Sequence, residues 1–115
     1  MKRYLLGIHQ PDGPVPPPQV LQQVMRDVST VIKESKAAGA WVFNGGLHSP
    51  DSTKLLQLTG DEVRVSDGPI TAGREHLSGF VIIKVFDLEE ALEWGARLAR
   101  ATMLPIEVRA FQGDG

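Results

Sequence analysis

The chain contains no cysteine, which excludes disulfides and thiolate chemistry while saying little about compartment. It also lacks any apolar run approaching the roughly 20 residues of a membrane-spanning helix. The opening MKRYLLGIHQPDG is basic and briefly apolar, but His9, Gln10 and Asp12 interrupt it before it reaches the length of a signal-peptide core, so no such peptide is expected. Neither sign of charge dominates. Twelve basic side chains against fourteen acidic ones leave a formal charge of −2, too little to draw a phosphate backbone, and no direct nucleic-acid contact is expected. What is present is the composition of a globular protein, 42% hydrophobic and 23% charged. Residues 1 to 115 suit one domain with one core, and the cytoplasm is the expected location.

Residues 3 to 9, RYLLGIH, form a short apolar segment that meets Pro11, Asp12, Gly13 and Pro14, as a strand running into a loop would. The proline-rich PVPPP that follows is a stiff connector. Between Gln19 and Ala38, Val20, Leu21, Val24, Met25, Val28, Val31 and Ile32 recur at three- and four-residue spacing, which predicts a helix with Gly39 as its cap. WVFNGGLH, residues 41 to 48, predicts a second strand, its Gly45-Gly46 pair marking a bulge or a close backbone approach. Residues 53 to 66 read as a hairpin turning at Thr59-Gly60-Asp61-Glu62.

The run from Gly79 to Phe86 is the most continuous apolar stretch and predicts a central strand buried on both faces. Asp87 and Glu90 then form an Asp-x-x-Glu cap before a helix carrying Leu88, Ala91, Leu92, Gly95 and Leu98 on one side. IEVRAF after Pro105 alternates as a last strand, and residues 112 to 115 are expected to fray. The order β-α-β, hairpin, β-α-β predicts an α+β fold, a ferredoxin-like split βαβ sandwich with an inserted β-hairpin at residues 53 to 66. Both helices would cover one sheet face. Since apolar residues alternate onto both sides of the central strand, a sheet-to-sheet homodimer would bury the other.

In that arrangement the end of the second strand and the start of the third share an edge, where His48, Asp67, Arg74, Glu75 and His76 could converge. A histidine beside a carboxylate serves as general acid or base, so Asp67 with His76 or His48 is the candidate catalytic pair. Arg74 could hold an anion by paired hydrogen bonds. Each has a plainer reading: Asp67-Gly68-Pro69 suits a turn, Arg74 and Glu75 suit a surface ion pair, and the histidines suit loops. His9, expected at the opposite end of the sheet beside the open space of Gly7, is a second ligand-binding candidate. Lys84 is another, as an anion binder or a partner of Glu107. No metal-binding spacing appears among His48, Asp51, Glu75 and His76. Gly45-Gly46 lacks the lysine of a phosphate loop, and no metal or cofactor is expected. Trp41 and Trp94 read as core or interface residues.

Together, the stretches Asp67-Gly68-Pro69-Ile70, Arg74-Glu75-His76-Leu77-Ser78-Gly79-Phe80, Asp87 to Trp94 and Glu107-Val108-Arg109 resemble the YCII-related (DGPF) proteins. The opening RYLL strand, the helix ending in Ala-Gly and the Gly-x-His of Gly46 to His48 fall in the same order. Ile70 replaces the phenylalanine of the motif, Arg74 its lysine, His76 its glutamine and Ser78 the first glycine of Gly-Gly-Phe. The resemblance implies a dimeric α+β barrel with a pocket for a small molecule. Some relatives are thought to use a His-Asp pair whose histidine lies in the first helix, and residues 19 to 38 contain no histidine, so that proposal does not transfer. Two functions follow: an acid-base enzyme acting on a small polar or aromatic molecule, or a non-catalytic ligand-binding or regulatory dimer. The second would include a transcription-related protein partner, because relatives are sometimes fused to or encoded beside sigma factors.

Overall fold

The computed structural model describes residues 1–69 and 73–113. Ile70, the altered motif position, and the last two residues of the expected frayed tail lie outside them. The elements run β1 (Lys2–Pro11), α1 (Pro18–Ala37), β2 (Trp41–Gly46), a 3-10 turn (Pro50–Ser52), β3 (Lys54–Thr59), β4 (Glu62–Asp67), β5 (Glu75–Val85), α2 (Leu88–Thr102) and β6 (Ile106–Ala110). This is an α+β chain. Four strands form one sheet in the order β2-β5-β1-β6, every neighbouring pair antiparallel, and β3 pairs with β4 in a separate two-stranded sheet. Each β-α-β connection therefore spans a strand belonging to the other, β5 lying between β1 and β2 and β1 between β5 and β6. No helix among the described residues is long and apolar enough to cross a membrane.

Alternation along the strands assigns the faces. Tyr4 and Leu6 of β1 and Val81, Ile83 and Val85 of β5 are buried beneath the helices with Ala91, Trp94 and Leu98 of α2. Removing Leu6, Ile83 or Leu98 from water contributes roughly 1.5–3 kcal/mol each. The opposite residues of the same strands, Leu5, Phe80 and Ile82, are only half-buried. The central strand is thus covered on one face, not both: both helices lie on the same side, and the alternate apolar residues shelter one another. Phe43 and Phe80 stand 6.0 Å apart, centroid to centroid, on that open face.

The helix ends have local causes. Gly39 adopts φ +74°, while the Gly39 N–H reaches the Lys36 carbonyl and the Ala40 N–H the Ser35 carbonyl. This is the paired closure that a left-handed residue permits. At α2, Asp87 accepts from the Glu90 N–H at 2.9 Å, and the Glu90 carboxylate accepts from the N–H of Phe86 rather than of Asp87. The reciprocal cap is therefore displaced one residue upstream. Glu34 and Arg97 join the two helices through a 3.2 Å ion pair, and Arg97 lies over the Trp94 ring.

The glycine pair marks a close approach, but its partner lies on β5. A Cβ on Gly79 would stand 2.9 Å from the Gly45 carbonyl oxygen, closer than packed atoms tolerate. The space expected beside Gly7 is already taken, since a Cβ there would meet Leu77 at 3.2 Å and His9 at 3.7 Å.

Candidate functional site

The residues with usable chemistry gather where β1 ends and β5 begins. Antiparallel pairing sets Pro11 opposite Glu75, Gln10 opposite His76 and His9 opposite Leu77. Between His9 and Ile8 the register shifts by one residue, and Ser78, the extra residue on β5, donates its hydroxyl to the Ile8 carbonyl. Such a bulge turns the following side chains relative to the rest of the strand. The loop beyond β1 is held to β5 by the Asp12 N–H, which donates to the Arg74 carbonyl at 2.7 Å. That bond presents the Asp12 carboxylate to the imidazole of His76.

His76 Nδ1 lies 2.6 Å from Asp12 Oδ1, and His76 retains about a quarter of its side-chain exposure. An ionised carboxylate only accepts, so Nδ1 is the donor in this contact, and in the neutral form of the ring the lone pair is on Nε2. A second pair stands beside it: His9 Nε2 contacts Glu107 Oε2 at 3.0 Å across β1 and β6. Both histidines line one open cleft of about 590 Å³, completed by Asp12, Asp51, Asp67 and Glu75 among others. This size lies within the range of small-molecule sites. Among the described residues its lining holds four carboxylates and no lysine or arginine, which favours a neutral or cationic occupant.

Several expected placements change. Asp67 lines the cleft, yet its carboxylate is bonded to Lys54 across the hairpin, not to a histidine. His48 lies in an adjoining hollow with Pro50, Pro69, His76 and Leu77, without a hydrogen bond to the pair among the described residues. His9 is at the same end of the sheet as His76, not the opposite end, because β1 and β5 run antiparallel and the last residues of one meet the first of the other. Lys84 faces Arg3 at the far end of the sheet, and Glu107 is paired with His9. Glu75 lines the cleft, whereas Arg74 does not. Among the described residues no cluster of three or more His, Asp or Glu could hold a metal ion.

Sequence reasoning missed Asp12 as a functional residue, taking it for a turn former, and assigned Glu107 to Lys84. The signal was available in the strand order. A split βαβ sheet sets the end of the first strand against the start of the third, which brings Asp12 to His76.

Comparison with known proteins places this geometry in context. A family model described as the YCII-related domain matches residues 1–110. An uncharacterized protein of Rhizobium meliloti (strain 1021) is 32% identical over 80 residues, which amounts to 70% of this chain. The matched portion spans 64% of that relative's length.

Proposed function

This chain belongs to the YCII-related family, and we propose that it is a small-molecule enzyme working by proton transfer, with His76 as the base and Asp12 as the group that orients it. The observation carrying this reading is the 2.6 Å contact between His76 Nδ1 and Asp12 within the cleft. The aspartate fixes the ring tautomer and stabilises the imidazolium formed when Nε2 takes a proton. His9, held by Glu107, is the second imidazole within the cleft and supplies or receives the proton at the other side of the substrate. The acidic lining selects a neutral or cationic molecule bearing an acidic C–H or O–H over an anion, so Arg74 has no part in binding it.

The reading includes a ferredoxin-like sheet, supported by the strand order, with β3 and β4 as a hairpin inserted into it. It also includes a homodimer formed sheet to sheet, as a dimeric α+β barrel. Two apolar surfaces support the association. One is the open face with Leu5, Phe43, Phe80 and Ile82; the other is one side of the hairpin, where Leu56, Leu58, Val63 and Val65 are 59–73% exposed. Surfaces of this kind mark interfaces. A second copy over the open face would also exclude water from the cleft, strengthening its electrostatics.

The test is solvent exchange: a panel of neutral and cationic small molecules with acidic C–H bonds is incubated in deuterated water and followed by proton NMR. Exchange at one of them, slowed about 100-fold or more by His76→Gln, is expected. Exchange unaffected by that change sinks the assignment. A second reading, a ligand-binding or regulatory module, is favoured by the exposed apolar side of the hairpin, which also suits a protein partner. Saturable binding of a panel molecule without exchange would select it.

A further inference from the structure

The two helices cover the sheet unequally. α2 buries Ala91, Trp94, Leu98 and Ala101, whereas the only fully buried residue of α1 is Ser35. Val28, Val31 and Ile32 are half-buried against the core, Leu21 and Val24 are half-buried as well, and Met25 is 70% exposed. The amphipathic stripe predicted from the sequence thus exists, but the sheet covers only part of it. Between it and the sheet runs a groove of about 640 Å³ on the face opposite the cleft, floored by Val24, Val28, Ile32 and Leu104.

The groove is charged on one sign only. Lys33 and Lys36 stand on its rim, and among the described residues no carboxylate lines it. The acids of the same helix are engaged elsewhere, Asp27 accepting from Gln23 and Glu34 pairing with Arg97. Lys36 extends over the Trp41 ring, 4.6 Å from its centroid, which holds the ammonium at the rim instead of free in solvent. A lysine stem covers apolar surface while its head stays wet, so an aliphatic floor with ammonium groups at the edge complements a molecule built the same way in reverse.

We propose that this groove is a binding site for a small amphipathic anion, its hydrocarbon part lying along Val24, Val28 and Ile32 and its carboxylate or equivalent acid group at Lys33 and Lys36. The volume fits a small molecule. A protein partner would be expected to cover about 800 Å² on its side, more than this groove offers. The site is separate from the cleft and does not depend on the proton-transfer reading.

Decanoate below its micellar concentration is the probe, titrated into the ¹⁵N-labelled full chain and followed by backbone amide shifts. Saturable shifts are expected along residues 24 to 36 and around Asn44, Gly46 and Leu104. Affinity should fall about fourfold from decanoate for each methylene removed, and about tenfold in a Lys33→Gln/Lys36→Gln variant. Both lysines are exposed, so the variant keeps the fold, which its unperturbed remaining amides verify. Decyltrimethylammonium should bind more weakly than decanoate. The proposal is overturned by absence of saturable shifts, by shifts confined to the hairpin or open sheet face, or by equal affinity of the cationic amphiphile. Unchanged affinity in the lysine variant overturns it as well. Loss of mass by light scattering on adding decanoate would show that a second copy fills the groove, and also overturns it.

Discussion

Asp12 and His76 lie 64 positions apart in the chain, yet a carboxylate oxygen of one sits 2.6 Å from a ring nitrogen of the other. The backbone arranges the meeting, because the same Asp12 donates its N–H to the carbonyl of Arg74, two residues before the histidine. Side chain and main chain thus fix the loop after β1 to the start of β5 at two points.

The first prediction concerns that pair. Asp12→Asn removes the anion that keeps the proton on Nδ1, so the neutral tautomer of His76 is expected to redistribute toward Nε2–H. Long-range ¹H–¹⁵N correlation spectra of the imidazole read this directly. An unchanged tautomer ratio would mean that Asp12 does not orient the ring.

Glu107→Gln tests the neighbouring imidazole. Glu107 is well exposed and its contact with His9 is a rim interaction, so stability should change by less than about 1 kcal/mol. The His9 ring signals should move while those of His76 stay in place, as expected for two separate pairs sharing one cleft. Coupled movement of both rings would show a single network.

Association should depend on the open sheet face. Placing a charge at its centre with Ile82→Lys is expected to shift the proposed dimer to monomer in analytical ultracentrifugation, because an unpaired ammonium at an apolar interface is costly. Leu58→Ser on the hairpin removes an apolar side chain that is 73% exposed and should weaken the proposed dimer less. A wild type that sediments as a monomer at every concentration tested discards the sheet-to-sheet arrangement.

Gly79→Ala should be strongly destabilising. Its new methyl would meet the Gly45 carbonyl at 2.9 Å, a backbone atom that cannot move without parting β2 from β5, and overpacking of this kind costs about 1–3 kcal/mol. Urea denaturation would read the loss as a lower midpoint at unchanged slope. The comparison Gly46→Ala, whose Cβ meets nothing within 4 Å, should be much milder.

Asp87→Ala removes the side-chain cap of α2, which accepts from Glu90 at 2.9 Å. A loss of about 1 kcal/mol is expected, corresponding to roughly 4–8 °C in thermal midpoint for a small domain. Asp87→Asn, which can still accept, should retain most of it.

Much of the fold was legible because it rests on local physics. The spacing of Val24, Val28 and Ile32, the glycine after Ala38, the Asp87 cap and the alternation of IEVRA each restrict a few adjacent residues, and the corresponding helices and strands appear within a few positions of where they were expected. β5 was harder. It begins at Glu75, four residues before the apolar run, because Glu75 to Ser78 are recruited by pairing with the end of β1 and not by their own hydrophobicity. The 3-10 turn at Pro50–Ser52 was not anticipated for a similar reason: its side-chain contacts, the Ser49 hydroxyl accepting from the Asp51 N–H and the Ser52 hydroxyl donating to the Ser49 carbonyl, are ordinary loop features.

The candidate site was legible only in part. Sequence alone singled out His76, His48 and Asp67 as residue types able to move protons, and it determined the helices, the strands and the apolar stripes, since periodicity and capping act over one or two turns. Which carboxylate each histidine meets was decided by the tertiary structure. Antiparallel pairing of β1 with β5 and β6 gives Asp12 to His76 and Glu107 to His9, while the hairpin gives Asp67 to Lys54. Such partnerships depend on strand order and register, which are set by burying one sheet face beneath two helices and leave no mark on the residues immediately around them.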